Sequence, residues 1–157
     1  MDIKIPPPVV GLTAALLIWL TDLDDPPTGL QWTQSVLDFP GRIVVVVLLV
    51  LAGLCLDLAS VAAFIKRRTT INPFSPQNAS ALVVTGFYRF TRNPMYLGMA
   101  CLILALVLFL QNALGFVFLA GFVMYLTKFQ ILAEEKALEQ RFGDSYRKYK
   151  AAVRRWI

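Results

Sequence analysis

Residues 43–65 read IVVVVLLVLAGLCLDLASVAAFI, an apolar run interrupted mainly by the carboxylate of Asp57. As a helix, this stretch covers the hydrocarbon core of a bilayer, which is roughly 30 Å thick. A helix of a small soluble protein could hardly bury such a surface on all sides. The stretch therefore predicts a membrane-spanning helix.

The composition of the whole chain agrees with this prediction. Of its 157 residues, 57% are hydrophobic and 16% are charged, whereas a soluble domain carries about a quarter charged residues. The length predicts one domain, residues 1–157. The chain has no histidine, which excludes a Ser-His-Asp triad, an imidazole base and the common His-containing zinc sites. We expect no metal site.

Three further apolar segments flank this run, at residues 5–20, 94–110 and 113–126. The last two are separated only by Gln111 and Asn112, which predicts a tight helical hairpin whose short arms cross by local thinning of the bilayer. The predicted fold is an all-α integral membrane protein of about four transmembrane helices, with a cytoplasmic loop and a C-terminal helical segment.

Charge placement predicts the orientation, because Lys and Arg are retained on the cytoplasmic side. The segment between the first two spans is acidic, with Asp22, Asp24, Asp25 and Asp38. The segment between the second and third spans, and the tail after residue 127, are basic. Four crossings place both basic regions and both termini in the cytoplasm. Because the basic residues crowd the ends of apolar spans, we predict no nucleic-acid partner.

Residues 82–98 read LVVTGFYRFTRNPMYLG and lead directly into the third span. One interpretation is an interfacial anchor with aromatic residues at the membrane surface, in which Pro94 occupies the first helical turn. The other is a ligand site at the cytoplasmic end of the bundle.

Glu134 and Glu135 flank an apolar helical stripe that follows the fourth span, so at least one carboxylate should face packed protein. Adjacent like charges there need a cation or hydrogen-bond donors. A basic residue (Arg89, Arg92 or Lys136) or a cationic ligand would satisfy them. Asp57, inside a span, is either a functional residue or a hydrogen-bonded packing residue.

These residues resemble the small membrane methyltransferases related to isoprenylcysteine carboxyl methyltransferase and to the phospholipid N-methyltransferases. The similarity extends over about the last 90 residues, and the combination of motifs is specific although each is weak. The segment Asn72-Pro73-Phe74 resembles the sequences of the bacterial branch of this group. The other matching segments are Leu82 to Gly86, Tyr88, Arg92 to Pro94, Tyr96, Gly98, Glu134-Glu135, Leu138, Phe142-Gly143, Tyr146, Tyr149 and Val153 to Ile157.

The resemblance implies that the part at about 72–157 binds S-adenosylmethionine, between the loop before the third span and the helix with the acidic pair. Glu134 would receive the ammonium group or the ribose hydroxyls, while aromatic rings shield the adenine and the sulfonium. The implied cofactor-binding residues are Ser80, Ala81, Leu82, Val83, Tyr88, Asn93, Pro94, Met95, Tyr96 and Glu134.

The implied reaction is methyl transfer to a lipophilic acceptor that enters from the membrane, and it needs positioning and exclusion of water rather than a metal. The prenylcysteine enzymes carry His where Asn93 stands, and an arginine that holds the substrate carboxylate where Gln130 stands. Arg92 is the candidate catalytic residue that replaces this arginine, and Gln130 is the candidate substrate-binding residue. A carboxylate, an amine or a thiol acceptor is left open.

Two other functions are consistent with parts of the sequence. A membrane reductase related to sterol reductases would bind a nicotinamide cofactor through a similar C-terminal architecture. A non-catalytic membrane adaptor would bind anionic lipid through the basic tail. The bacterial resemblance predicts residence in the inner membrane, with membrane lipids as partners and the active site on the cytoplasmic side.

Overall fold

The structure is a computed structural model that describes residues 5–23, 37–67 and 80–157. The motif at Asn72 to Phe74 lies outside these residues. The described residues form helices and no strand, which confirms the predicted all-α class. The helices are α1 (Pro7–Leu23), α2 (Arg42–Lys66), a 3-10 turn (Gly86–Arg89), α3 (Pro94–Leu110), α4 (Gly115–Phe142) and α5 (Asp144–Ala152).

Helices α2 and α4 are long and apolar enough to cross a membrane. Helices α1 and α3 have 17 residues each, about 25 Å of helix at 1.5 Å per residue. Large apolar side chains lie exposed on the outer surface of the bundle, among them Leu12, Val44, Leu51 and Val117. Such a surface is stable in lipid, and the protein is a membrane protein.

Helix α3 occupies the centre of the bundle and contacts α1, α2 and α4. Its closest neighbour is α2, because glycines meet where the two helices cross. A Cβ atom at Gly98 would lie 2.8 Å from the carbonyl oxygen of Gly53. On the opposite side of α3, the core is formed by Ala14, Ile18, Tyr96, Ile103, Val107, Phe122, Leu126 and Ile131.

Polar contacts hold three helix ends together at the end of the bundle that carries the α3–α4 turn. Asn112 Nδ2 donates to the Ile18 carbonyl at 3.1 Å and to Thr21 Oγ1 at 2.9 Å. Arg42 Nη1 donates to the Leu108 carbonyl at 3.0 Å. The end of α1, the start of α2 and the short α3–α4 turn therefore lie side by side. The predicted tight turn is confirmed, but the second arm is not short, because α4 continues to Phe142.

Helix α4 changes its hydrogen-bonding pattern along its length. It is α-helical over Gly115–Tyr125, π-helical over Leu126–Ile131 and α-helical again over Leu132–Phe142. Turns of π-helix are uncommon, and many lie at functional sites. Gly143 ends the helix with a φ of +53°, a conformation that favours glycine, and the chain turns there into α5.

Candidate functional site

The chain enters α3 through a sharp corner formed by residues 91–94. The Asn93 amide donates to Thr91 Oγ1 at 3.2 Å, and Pro94 begins the helix. A proline fits there because the first residue of a helix has no intrahelical partner for an N–H group. This corner confirms the predicted position of Pro94 in the first helical turn.

In the first turn of α3, the side chain of Tyr96 reaches α4. Its hydroxyl donates to Glu134 Oε1 at 2.6 Å. The amide of Gln130, which lies in the π-helical segment and is 2% exposed, donates to the same oxygen. Two neutral donors thus orient the half-buried Glu134 carboxylate, and the structure brings together three of the predicted site residues.

Tyr88 lies beside this contact, in the 3-10 turn that precedes the corner. Its ring packs edge-on against Phe64 of α2, with 5.6 Å between ring centroids, and its carbonyl oxygen accepts the Tyr149 hydroxyl at 2.7 Å. Burial raises the pKa of Tyr88, and the charges of Glu134 and Asp57 raise it further. Tyr88 therefore stays protonated at neutral pH and belongs to the same polar cluster as Glu134.

The other predicted cofactor-binding residues lie in the segments just before and just after the 3-10 turn. Val83 and Pro94 are buried, whereas Ser80 is exposed. Those of intermediate burial are Ala81, Leu82, Asn93 and Met95. They form two short segments that flank Tyr88, and their contact with a shared ligand stays a prediction.

Glu135 has different partners from Glu134. Its carboxylate accepts two hydrogen bonds from Arg155, from Nε at 2.8 Å and from Nη2 at 2.9 Å. Arg92 Nη2 lies 3.1 Å from Glu135 Oε1. Only 7% of the Glu135 side chain is exposed. The prediction that one carboxylate of the pair faces packed protein is confirmed, and Arg92 is one of its cations.

Arg92, the predicted catalytic residue, is itself buried, with 8% of its side chain exposed. Its Nε and Nη1 atoms have no hydrogen-bond partner within the described part of the chain. Its backbone amide donates to the Arg154 carbonyl at 3.0 Å. Arg92 thus has buried N–H groups on Nε and Nη1 in addition to the Nη2 contact with Glu135.

Asp57 lies on α2 where that helix crosses α3. Its Oδ1 atom is buried and has no hydrogen-bond partner among the residues that the structure describes. A Cβ atom placed on Gly98 would overlap this oxygen. Asp57 therefore packs directly against the backbone of α3, within the electrostatic range of Tyr88.

Two C-terminal residues of this region, Arg155 and Trp156, carried no assigned role from the sequence. The Arg155 carbonyl oxygen accepts hydrogen bonds from Thr91 Oγ1 at 3.2 Å and from Asn93 Nδ2 at 2.9 Å. Trp156 Nε1 donates to Thr127 Oγ1 in the π-helical segment at 3.1 Å. In the sequence, these two residues were marked only by the family similarity over residues 153–157. That similarity does not reveal which residues they contact.

A cavity of about 350 Å³ lies between α4 and α5. It includes Glu135 but neither Glu134 nor Tyr88 nor Tyr96. Its rim carries ion pairs between Glu139 and the cations of α5. This cavity is therefore distinct from the ligand site that the sequence predicts beside Glu134.

A bundle of apolar helices with a cluster of ionisable groups at one end is typical of a membrane-embedded ligand site or enzyme. The family described as phospholipid methyltransferase matches residues 42–145, about two thirds of the chain. The chain belongs to the phospholipid methyltransferase family, and it is a membrane methyltransferase. The match includes Tyr88, Tyr96 and Glu134, and it ends before Arg155.

One similar protein is an uncharacterized protein of Haemophilus influenzae. It is 44% identical over 63 residues, which are 100% of that protein and 40% of this chain. No solved structure matches the chain.

Proposed function

We propose that this protein transfers a methyl group from S-adenosylmethionine to a lipophilic acceptor at the cytoplasmic face of a bacterial inner membrane. The observation that carries the proposal is the contact of the Tyr96 hydroxyl with Glu134 at 2.6 Å, next to the buried ring of Tyr88. Methyl transfer follows from membership of the phospholipid methyltransferase family. The identity of the methyl donor, the class of acceptor and the residues that bind them are what we propose.

The chemistry of these side chains fits the donor. A fixed carboxylate at Glu134 is a strong acceptor for an ammonium group or for ribose hydroxyls. The aromatic rings of Tyr88 and Tyr96 attract a positive sulfonium and pack against an adenine. When bound, S-adenosylmethionine supplies a methyl carbon that its positive sulfur activates.

The remaining site residues have supporting roles. The hydrogen bonds from Tyr96 and Gln130 hold the Glu134 carboxylate in one orientation, so that little has to reorganise when a ligand binds. The segment from Ser80 to Val83 and the corner from Asn93 to Met95 complete the proposed binding surface. A bound acceptor that covers this surface would exclude water, which favours transfer to the acceptor over hydrolysis.

The acceptor is a lipid-soluble carboxylate, as in isoprenylcysteine-type methylation, or a lipid amine. A carboxylate acceptor would contact Arg92 through an N–H group on Nε or on Nη1, because Nη2 already lies 3.1 Å from Glu135 Oε1. Gln130 stands where the prenylcysteine enzymes carry a second arginine and here donates to Glu134. Gln130 would contact the acceptor only through its side-chain amide. The oxygen of that amide could also accept a hydrogen bond from an amine.

The donor is tested by titrating the detergent-purified protein with S-adenosylhomocysteine in a calorimeter. We expect saturable binding that Glu134→Gln weakens at least tenfold. The matched control is Glu139→Gln on the same helix, whose carboxylate pairs with Arg147 at 3.1 Å outside the cluster, and we expect binding within twofold of the unmodified protein. Folded protein that does not bind S-adenosylhomocysteine contradicts the proposal.

The same titration separates the alternative functions. Saturable binding of NADPH in place of S-adenosylhomocysteine would favour a reductase. Binding to anionic vesicles without binding of either nucleotide would favour a lipid adaptor.

The acceptor is tested with donor labelled in the methyl group and a bacterial lipid extract. Label released by mild alkali identifies a methyl ester and therefore a carboxylate acceptor, whereas label stable to alkali identifies an amine or a thiol acceptor. With a carboxylate, we expect Arg92→Lys to lower kcat/KM at least tenfold, because a lysine ammonium keeps the charge but loses the planar group that can contact Glu135 and the acceptor at the same time.

A further inference from the structure

We infer that residues 153–157 form a positioning strap for the candidate site, in which the ion pair of Arg155 with Glu135 fixes the corner at residues 91–94 against α4. The inference rests on the proposed function for the identity of the ligand. The contacts of the strap themselves are independent of that proposal.

The backbone of the strap holds the corner through three hydrogen bonds. The Arg154 carbonyl accepts the amide of Arg92 at 3.0 Å. The Arg155 carbonyl accepts the Thr91 hydroxyl at 3.2 Å and the Asn93 side-chain amide at 2.9 Å. The strap leaves α5 in an extended conformation, with φ −124° and ψ 132° at Val153, and this exposes successive carbonyl groups to the corner.

The side chains of the strap hold α4 at two points. The Arg155 guanidinium forms a two-pronged contact with Glu135, a geometry that is stronger and more directional than a single hydrogen bond. This contact raises the pKa of Arg155. One residue further on, the Trp156 indole donates to Thr127 in the π-helical segment, so the strap cannot pivot about a single contact.

The strap thereby connects the two halves of the proposed ligand site. Asn93 comes directly before α3, whose first turn carries Tyr96, and Glu135 is adjacent to Glu134 on α4. A shift of the corner would separate the Tyr96 hydroxyl from the Glu134 carboxylate, which now lie 2.6 Å apart. In this inference Glu134 contacts the ligand. Glu135 and Arg155 affect ligand binding only by holding the corner at residues 91–94 in position.

The experiment compares Arg155→Ala with Arg154→Ala in the full-length protein. The Arg154 side chain is exposed, and its substitution keeps the backbone carbonyl that holds Arg92. Hydrogen–deuterium exchange of residues 88–97 reports on the corner, and exchange of residues 46–53 in α2 reports on global folding. Titration with S-adenosylhomocysteine reports on the site.

For Arg155→Ala we expect exchange at residues 88–97 to accelerate at least tenfold, no change in α2, and an S-adenosylhomocysteine Kd at least fivefold higher. Arg154→Ala should stay within twofold in all three measurements. Arg155→Lys should give intermediate values, because it restores the charge without the two-pronged contact. Glu135→Gln combined with Arg155→Ala should be no worse than the more severe single variant.

Unchanged exchange at residues 88–97 in Arg155→Ala overturns the inference. Loss of protection throughout α2 in both Arg155→Ala and Arg155→Lys also overturns it, because the ion pair then supports the whole fold. If the unmodified protein does not bind S-adenosylhomocysteine but Arg155→Ala still loosens the corner alone, the proposed function fails and the positioning role stands.

Discussion

Glu134 and Glu135 are neighbours in the sequence, but their carboxylates have different partners. Successive residues of an α-helix are about 100° apart around its axis, so one side chain of the pair points toward Tyr96 and the other toward Arg155. The strong hydrogen bonds of Glu135 to arginine fix it in place, whereas Glu134 receives donors from neutral groups. The second arrangement suits a carboxylate that binds a cationic ligand.

At this scale we predict that Tyr96→Phe weakens S-adenosylhomocysteine binding roughly tenfold, equivalent to about 1.4 kcal/mol. The substitution removes the hydroxyl that donates to Glu134 and keeps the ring in the core. Calorimetry of the purified variant measures the change in Kd.

The control for this prediction is Tyr125→Phe, since that tyrosine lies on α4 and packs against Phe129, with 4.9 Å between ring centroids. We expect its Kd to be unchanged. Equal Kd values for Tyr96→Phe and the unmodified protein would show that the hydroxyl does not orient Glu134 for binding.

Among the helices, the crossing of α2 and α3 imposes the tightest packing. Small residues let helix backbones approach closely in membranes, and Gly53 and Gly98 meet at this crossing. Asp57 is on the same face of α2, so the crossing also fixes an acidic group near Tyr88. The position of α3, and with it that of Tyr96, depends on this contact.

We predict that Gly98→Ala lowers the free energy of unfolding by about 1–3 kcal/mol, the usual cost of overpacking. The new methyl group would overlap Asp57 Oδ1 and lie 2.8 Å from the Gly53 carbonyl. Thermal unfolding in detergent measures the loss of stability.

Gly121→Ala is the matched control, because a Cβ atom there meets nothing within 4 Å. Its unfolding temperature should be equal to or slightly above that of the unmodified protein, since alanine favours helix. Adding Asp57→Ala to Gly98→Ala should recover part of the lost stability, because it removes the overlap with Asp57 Oδ1. The recovery should be incomplete, because the contact with the Gly53 carbonyl persists. A stable Gly98→Ala variant would be inconsistent with this crossing.

For the molecule as a whole, the helix ends fall into two groups. The end of α1, the start of α2 and the α3–α4 turn lie together. Tyr88, the corner at residues 91–94 and the acidic pair lie together elsewhere. In the four-span topology that the charge pattern predicts, the second group would face the cytoplasm with the basic segments.

We therefore predict that Asp38 and Lys148 lie on opposite sides of the membrane. Single cysteines at these exposed positions are introduced after Cys55 and Cys101 are changed to serine. A membrane-impermeant maleimide added to spheroplasts should label Asp38→Cys directly and Lys148→Cys only after permeabilisation. Direct labelling of both positions would rule out the four-span topology.

Much of the architecture was predictable because apolar runs and charge placement are local properties of the chain. Helix α2 was expected at residues 43–65 and extends over Arg42–Lys66. The short α3–α4 turn followed from the polar break at Gln111 and Asn112. The family motifs also indicated Tyr88, Tyr96 and Glu134 before their contacts were known.

The π-helical turn at Leu126–Ile131 was not predictable in the same way. Its sequence, LTKFQI, has no proline or glycine to mark a change of helix type. The turn occurs where Trp156 and Tyr96 pack against α4 from other parts of the chain. Its stability therefore depends on tertiary contacts rather than on local preference.

The sequence alone determined that this protein is a helical membrane protein with a methyltransferase motif at one end of its bundle, because hydrophobicity and motif spacing can be read along the chain. The tertiary structure decided which carboxylate contacts Tyr96 and which one pairs with Arg92 and Arg155. Those partners lie 20 or more residues away in sequence, and only the packing of α3, α4 and the strap brings them within hydrogen-bonding distance.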